Sequence, residues 1–217
     1  MLEGDEPVAE LWLGPAPGAG RRVMEAAHAL LATAGVGVGD LDGVVVGVGP
    51  GGFTGLRIGI ATALGLGQAA GIEVVGASSL EALALSLADH APGAGVLVPV
   101  LDAKRRELFC AVYRRGEGDA LEEVVPPSAL APSDLAAALT ARGLAEDALV
   151  GGEGLRVAGP PLAGLRHGAV RGPESTPRAR DLVRRVRAGG ARPAVPVYAR
   201  LPDAEVNRRA REAGGDP

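Results

Sequence analysis

The 217-residue chain carries one cysteine, one lysine, one asparagine and five aromatic residues, and each shortage removes something. A single cysteine, Cys110, cannot close an internal disulfide, which excludes a secreted disulfide scaffold. With so few rings the core must be built from Ala, Val and Leu. Buried area per residue is then modest, and the fold is expected to lean on a partner or a second lobe. Twenty-two Lys+Arg stand against 26 Asp+Glu, a net charge of −4, so there is no global basic footprint for autonomous nucleic-acid binding. Lys104 is the only lysine and Asn207 the only asparagine, a bias that GC-rich codons explain. No apolar run reaches the ~18–20 residues that span a bilayer, and the N-terminus is acidic rather than a basic flank to an apolar stretch. The expectation is a cytoplasmic chain with no membrane contact.

What is present is glycine and proline, 34 and 17 residues, which approaches low complexity. Against that stand a hydrophobic fraction of 47% and a mean hydropathy of +0.19, too apolar for a chain that lacks a core.

Val8 to Leu13, bounded by Pro7 and Gly14-Pro15, predicts an edge strand. Apolar residues recur at three and four from Arg22 to Ala34, with Gly35 beyond, which predicts a helix and its stop. Leu41 to Val48 is nearly continuous in apolar residues, as in a strand covered on both faces. The loop Gly47 to Gly52 then feeds a helix from Thr54 to Ala70, ended by Gly71. Ile72 to Val75 predicts a second buried strand. Ser78 and Glu81 match a capping box that opens a helix to Asp89. The order is that of a doubly wound α/β unit with parallel strands. Val96 to Leu101 and Glu107 to Tyr113 predict a hairpin, and the change from crossover to hairpin sets a division into residues 1–100 and 101–217. Further on, Ser133 is expected to cap a helix over Asp134 to Arg142. Leu149-Val150 leads into Gly151-Gly152-Glu153-Gly154, Thr176-Pro177 opens a helix to Ala188, and Val195 to Arg200 is extended. The Arg/Glu-rich end reads as a solvated tail.

Gly47-x-Gly49-x-x-Gly52 fits the dinucleotide fingerprint, but no Asp or Glu ends the next strand to hold a ribose, which weakens a dinucleotide-dependent oxidoreductase. A P-loop fails because Thr54-Gly55-Leu56 stands where Gly-Lys-Ser/Thr is needed. Gly49, Gly51, Gly52 and Thr54 remain weak candidates for an anion cradle at a helix N-terminus; close packing of helix on strand is the plainer account. His28, His90 and His167 show no metal spacing and read as surface or helix-face residues. Cys110 reads as a small buried hydrophobe, and Ser78-Ser79 as capping. Asp102 fits a turn residue bonded to its own backbone, with a functional carboxylate at a strand end as the rival. Arg184-Arg185-x-Arg187 and Arg208-Arg209-x-Arg211 read as solvated helix faces, with RNA contact as the rival. Neither a catalytic residue nor a metal site is spelled out.

The stretch from Gly47 to Gly59, with its core Gly49-Pro50-Gly51-Gly52-Phe53-Thr54-Gly55-Leu56-Arg57, followed by Gly65-Leu66-Gly67 and then by Val75-Gly76-Ala77-Ser78-Ser79-Leu80-Glu81-Ala82-Leu83-Ala84, resembles the TsaB (YeaZ) family. Leu101-Asp102-Ala103-Lys104-Arg105-Arg106-Glu107 is similar to that family's Asp-Ala-Arg hairpin, and Pro196-Val197-Tyr198-Ala199-Arg200 to its C-terminal Pro-Val-Tyr-x-Arg. The resemblance is dense from residue 36 to 113, thin to 190, and returns near 196. It implies an α/β, actin-like (sugar kinase and heat-shock ATPase, RNase H-like) fold of two lobes. It also implies a role as non-catalytic partner of the TsaD transferase. With the ATPase TsaE and the carbamoyl-adenylate synthase TsaC, that enzyme places a threonylcarbamoyl group on the adenosine beside the tRNA anticodon. In this view the chain has no cofactor of its own, ATP and Mg being used through partner subunits. It meets tRNA through the complex, and a homodimer is open. An older glycoprotease label finds no support in these residues.

Two departures stand out. Members usually open with a strand and an Asp-Thr-Ser/Thr turn, and this sequence begins after that point. A misplaced start is the expectation, with an N-terminal lobe lacking its first strand as the alternative. Gly52 stands where the family usually has Ser, which removes any hydroxyl role.

The expected partner interface lies on two helices: Ala26 and Leu30 on the first, and Ile58, Ala61, Thr62 and Gly65 on the second, with Phe53 and Arg57 positioning the loop. The rival reading is a nucleotide-dependent transferase or ATPase that uses Gly49 to Thr54 as a phosphate cradle.

Overall fold

The computed structural model describes residues 1–4, 6–14, 19–168 and 172–199; the expected tail, Arg200 and the Arg208 cluster lie outside them. Leu2–Glu3 (β1) and Glu6–Pro7 (β2) form a minimal hairpin. The strand expected over Val8 to Leu13 does not form. No neighbouring strand takes up its backbone groups, and the segment is held instead by single bonds. The terminal amine donates to the Ala9 carbonyl at 2.8 Å, and Arg178 pairs with Glu10.

Helix α1 (Ala19–Ala34) ends at Gly35, whose φ of 70° is the left-handed stop that glycine supplies without steric cost. Strand β3 (Gly43–Gly49), helix α2 (Phe53–Ala70) and strand β4 (Glu73–Ser78) form a parallel crossover unit, with Val44 opposite Val74 and Gly47 opposite Ala77. α1 packs on α2. The expectation that the first of these strands is covered on both faces is corrected: Val44, Val45 and Val46 are only half-buried. Among the described residues β3 pairs with β4 alone, so its other edge meets no strand.

Helix α3 (Ser79–His90) follows directly. Ser78 Oγ accepts the Glu81 amide at 3.4 Å, but the reciprocal half of the expected capping box is absent. The Glu81 carboxylate turns instead to Arg185 and Arg192, because this helix is buried along nearly its whole length and a charge there needs a partner.

The second sheet has the order β7-β6-β5-β8-β9, from strands Val96–Lys104 (β5), Glu107–Arg115 (β6), Leu121–Leu130 (β7), Ala148–Gly151 (β8) and Arg166–His167 (β9). Strands β5, β6 and β7 are antiparallel, and β8 and β9 continue in parallel. Strand alternation sends Val96, Val98 and Val100 into one apolar layer with Leu135 and Leu139 of helix α4 (Pro132–Ala141). It sends Leu97 and Leu101 into the other layer, with Leu80, Leu83 and Leu87 of α3. α3 thus lies between the two sheets. Residue 100 falls inside β5, all of which belongs to the five-stranded sheet.

Two local expectations give way, and one strand was not expected. Pro132 occupies the first turn of α4 with Ala131 as N-cap, so Ser133 is not the cap. The last helix starts later than expected: a short helix α5 (Leu155–Ala158) precedes α6 (Ala179–Arg185), which starts after Arg178 and runs on as a wider π-helical turn over Val186–Gly190, and Thr176 Oγ1 donates to the Pro173 carbonyl. Strand β7, which contains Pro126 and Pro127, has no counterpart among the expected elements. An edge strand tolerates proline, and its pairing with β6 is irregular there.

Beyond α6 the chain returns to the first sheet as an extended strap. Gly76 and Arg192 exchange backbone hydrogen bonds of 2.7 and 2.9 Å, and the Val197 amide donates to the Val48 carbonyl at 2.7 Å. No helix of the described residues is long and apolar enough to cross a membrane.

Candidate functional site

Four features bring together the residues singled out in the sequence. The first is the glycine loop between β3 and α2. Its Gly49-Pro50 peptide is cis, and Gly49 is buried at φ 113°. A Cβ on Gly49 would stand 2.5 Å from the Val197 carbonyl oxygen and 3.1 Å from Leu56 Cδ1. On Gly76 it would stand 2.6 Å from the Pro193 carbonyl oxygen and 2.5 Å from Val48 Cγ1. These glycines are required by the strap, which presses its backbone against the loop. A Cβ on Gly51 would make only ordinary contact with Leu56. Gly52 is exposed with open space around it, and Thr54 is exposed. Of the four cradle candidates, Gly49 thus lies against the strap, while Gly52 and Thr54 are exposed. The later cluster Gly151-Gly152-Gly154 is likewise explained by close packing, since side chains there would collide with Leu87 and with the β5 backbone at Val100 and Leu101.

The second feature is a clasp. Tyr198 of the strap stacks on Phe53, with ring centroids 5.1 Å apart and planes inclined by 29°. The Arg57 guanidinium lies 3.9 Å above the Phe53 ring, and its Nε donates to Tyr198 Oη at 3.1 Å. Two motifs 141 residues apart in sequence thus meet around one ring. The ring pair is worth about 0.5–1.5 kcal/mol beyond area burial, and the exposed cation–π contact roughly 0.5–1 kcal/mol.

The third feature is the outward face of α2. Ala61, Leu64 and Gly65 are exposed, Ile58 and Thr62 are half-buried, and Ile60, Ala63 and Gly67 face inward. Leu64 is 46% exposed. On α1, Ala26 and Leu30 lie in the half-buried stripe of a helix packed on α2, while Met24 is 45% exposed. The expected interface residues thus divide: on α2 Ala61 and Gly65 are exposed while Ile58 and Thr62 are half-buried, and on α1 Ala26 and Leu30 are half-buried.

The fourth feature is charge. Arg184 and Arg185, expected on a solvated face, are instead the centre of an ion-pair network, because α6 packs against α3. Arg185 Nε donates to Glu81 at 2.9 Å with both side chains buried. Arg184 pairs with Asp89, Asp119 and Asp181 at 2.7, 2.5 and 2.9 Å. Burial pushes the Asp181 carboxyl above the usual carboxylate range, and the hydrogen bond from Arg184 offsets part of that rise. No sequence signal pointed to this network, whose partners lie 95 and 104 residues apart.

At the tip of the β5–β6 hairpin, Asp102 behaves as the turn reading expects. It accepts the Lys104 amide at 2.7 Å and pairs with Lys104 Nζ at 2.5 Å. Burial works against its ionised form, but these bonds hold the carboxyl below the usual range. Lys104, Arg105 and Arg106 have φ of 65°, 51° and 64°, a left-handed run that costs L-residues roughly 1–2 kcal/mol each. Cys110 is fully buried and its thiol is pushed up to about 12 by desolvation. His90 and His167 donate to the Ser86 and Leu162 carbonyls at 2.7 and 2.8 Å, and His28 is exposed.

With this geometry in hand, the comparisons are specific. The profile of the family described as tRNA N6-adenosine threonylcarbamoyltransferase (TsaD) matches residues 20–164. An uncharacterised protein of Mycobacterium tuberculosis, Rv3421c, is 36% identical over 178 residues, covering 82% of this chain and 72% of that protein. The tRNA threonylcarbamoyladenosine biosynthesis protein TsaB of Bacillus subtilis is 33% identical over 105 residues, covering 48% of this chain and 44% of that protein. YeaZ from Pseudomonas aeruginosa superposes with a TM-score of 0.66 at 27% identity, over 82% of this chain and 83% of that one. The fold is therefore the actin-like α/β fold, and the chain belongs to the TsaB (YeaZ) family within the wider group that the TsaD profile describes.

Proposed function

We propose that the chain takes part in threonylcarbamoyladenosine formation on tRNA as a non-catalytic partner subunit of a TsaD-like transferase. A TsaE-like ATPase and the tRNA join through the complex, and ATP and Mg are used by the partner subunits. The observation that carries this reading is the outward face of α2, where Ala61, Leu64 and Gly65 lie exposed on a helix whose opposite face is packed. Small side chains there allow a second helix to approach closely. The same face is offered to a second copy of the chain when the partner is absent.

The glycine loop supports a binding role over a nucleotide-dependent one. The strap presents the Val197 carbonyl oxygen to Gly49, an acceptor that a phosphate would oppose, and Gly52 lies away from it. The loop's part is instead to seat the strap and, through Phe53 and Arg57, to fix the first turn of α2.

Size-exclusion chromatography with light scattering, on this chain mixed with the TsaD protein of the same organism, tests the reading. Co-elution is expected. Ala61→Arg is expected to abolish it with unchanged circular dichroism and melting temperature, and a variant that still co-elutes normally sinks the interface. Calorimetry with ATP and Mg on the isolated chain is expected to give no heat; a tight, Mg-dependent complex would restore the enzyme reading.

A further inference from the structure

This chain uses glycine wherever its described backbone turns left-handed, with one exception. Ten glycines have positive φ, from Gly4 to Gly189, and the only other described residues in that region are three neighbours, Lys104, Arg105 and Arg106. Arg105-Arg106 is a two-residue hairpin connection with positive φ at both positions, the geometry for which Asn-Gly or Gly-Gly is favoured. A sequence with 34 glycines spends none here, and places its only lysine beside the two arginines. The side chains are therefore retained against the preference of the turn, the pattern from which a functional role is inferred.

All three cations are exposed, Lys104 with 77% of its side chain in solvent, and Arg156 of α5 is exposed and close enough to act on Asp102. Against these four stand Asp102, which orients the Lys104 ammonium, and half-buried Glu107. The hairpin tip is thus a compact positive projection on a chain whose net charge is −4. We propose that the Lys104-Arg105-Arg106 tip is a contact for an RNA phosphate backbone, supplying position and affinity without base readout. That the RNA is tRNA rests on the proposed function.

Arg105→Asn combined with Arg106→Gly gives the turn the residues its geometry favours and removes two charges. The expected result is a higher melting temperature together with weaker tRNA binding. For the complex with the TsaD protein, affinity should fall about tenfold, and the slope of log K against log salt should drop by roughly one to two. A merely structural hairpin predicts the same stabilisation with unchanged affinity and slope, and that result overturns the proposal. Failure of the variant to co-elute with TsaD, despite its higher melting temperature, would assign the tip to a protein surface and also overturn it. Failure of the wild-type chain to co-elute defeats the proposed function instead. The hairpin is then read on the chain alone with tRNA at low salt, where binding lost in the variant supports the contact and no binding overturns it.

Discussion

Around β5 to β9 the interior consists of two apolar layers. Val98, Leu108, Leu135 and Leu139 are fully buried on one side of the sheet, and Leu83, Leu97 and Ala111 on the other. Around β3 and β4 the buried apolar residues are fewer and smaller, Val48, Ile60 and Ala63 beside the cluster of Ala77, Ala82 and Leu182, and charge and the returning strap close the rest. The difference follows from composition. A chain with two phenylalanines, two tyrosines and one tryptophan can complete one sandwich of aliphatic layers, and the other sheet, short of apolar volume, is closed by ion pairs and backbone hydrogen bonds. The two halves should fail in different ways, and that contrast is open to test.

The largest effect is expected at Glu81, which holds both Arg185 and Arg192. Glu81→Ala leaves the Arg185 guanidinium buried without its partner and should cost about 3–5 kcal/mol, measured by urea titration. Replacing the buried pair together, Glu81→Leu with Arg185→Met, should recover much of that loss; if the double variant is no better than the single one, charge pairing is not what closes this half.

In the five-stranded half, Leu139→Ala should cost roughly 2–5 kcal/mol through cavity formation. Gly49→Ala, forced against the Val197 carbonyl at φ 113°, should cost about 1–3 kcal/mol. The sharper readout is hydrogen exchange. Leu139→Ala should raise exchange throughout β5 to β8, whereas Gly49→Ala should raise it in β3, β4 and the strap alone. Uniform loss of protection in both variants would mean that the two halves open as one unit.

Tyr198→Ala, which removes the ring from Phe53 and the hydroxyl from Arg57, is expected to cost about 1–2 kcal/mol. Tyr198→Phe keeps the stack and should cost less, and equal losses would assign the clasp to the hydrogen bond rather than the rings. The smallest effect is at the hairpin. Because the folded Asp102 carboxyl lies below its ordinary value, its contribution is complete above that value and is lost as pH falls through the lowered one. The amide resonance of Lys104 should report that titration below about pH 4, and Asp102→Asn should abolish it.

Much of the frame was legible because it is local. The helix stops at Gly35 and Gly71, the parallel unit from β3 to α3, and the hairpin after Val96 rest on period, capping and turn chemistry that neighbouring residues decide. Motif resemblance identified the glycine loop and the Pro-Val-Tyr segment, but as separate stretches. That Tyr198 covers Phe53 and that Val197 fills the space above Gly49 depends on a chain return over some 140 residues, which no window of sequence contains. The Arg184 and Arg185 side chains looked solvated because a charged pair on a short helix usually is. The packing of α6 on α3 decided otherwise. The Val8 to Leu13 segment carried a strand's composition without a neighbouring strand to pair with, and composition cannot supply one.

The sequence by itself determined the fold class, the family and the places where the backbone must turn, since these follow from spacing and from which residues tolerate which φ. Only the tertiary structure decided what the glycines were for. Whether an empty Cβ position receives a phosphate, a helix or another strand depends on what the rest of the chain brings there. Here it brings its own strap to Gly49 and Gly76, and to the β5–β6 turn it brings cations where a glycine would fit more easily.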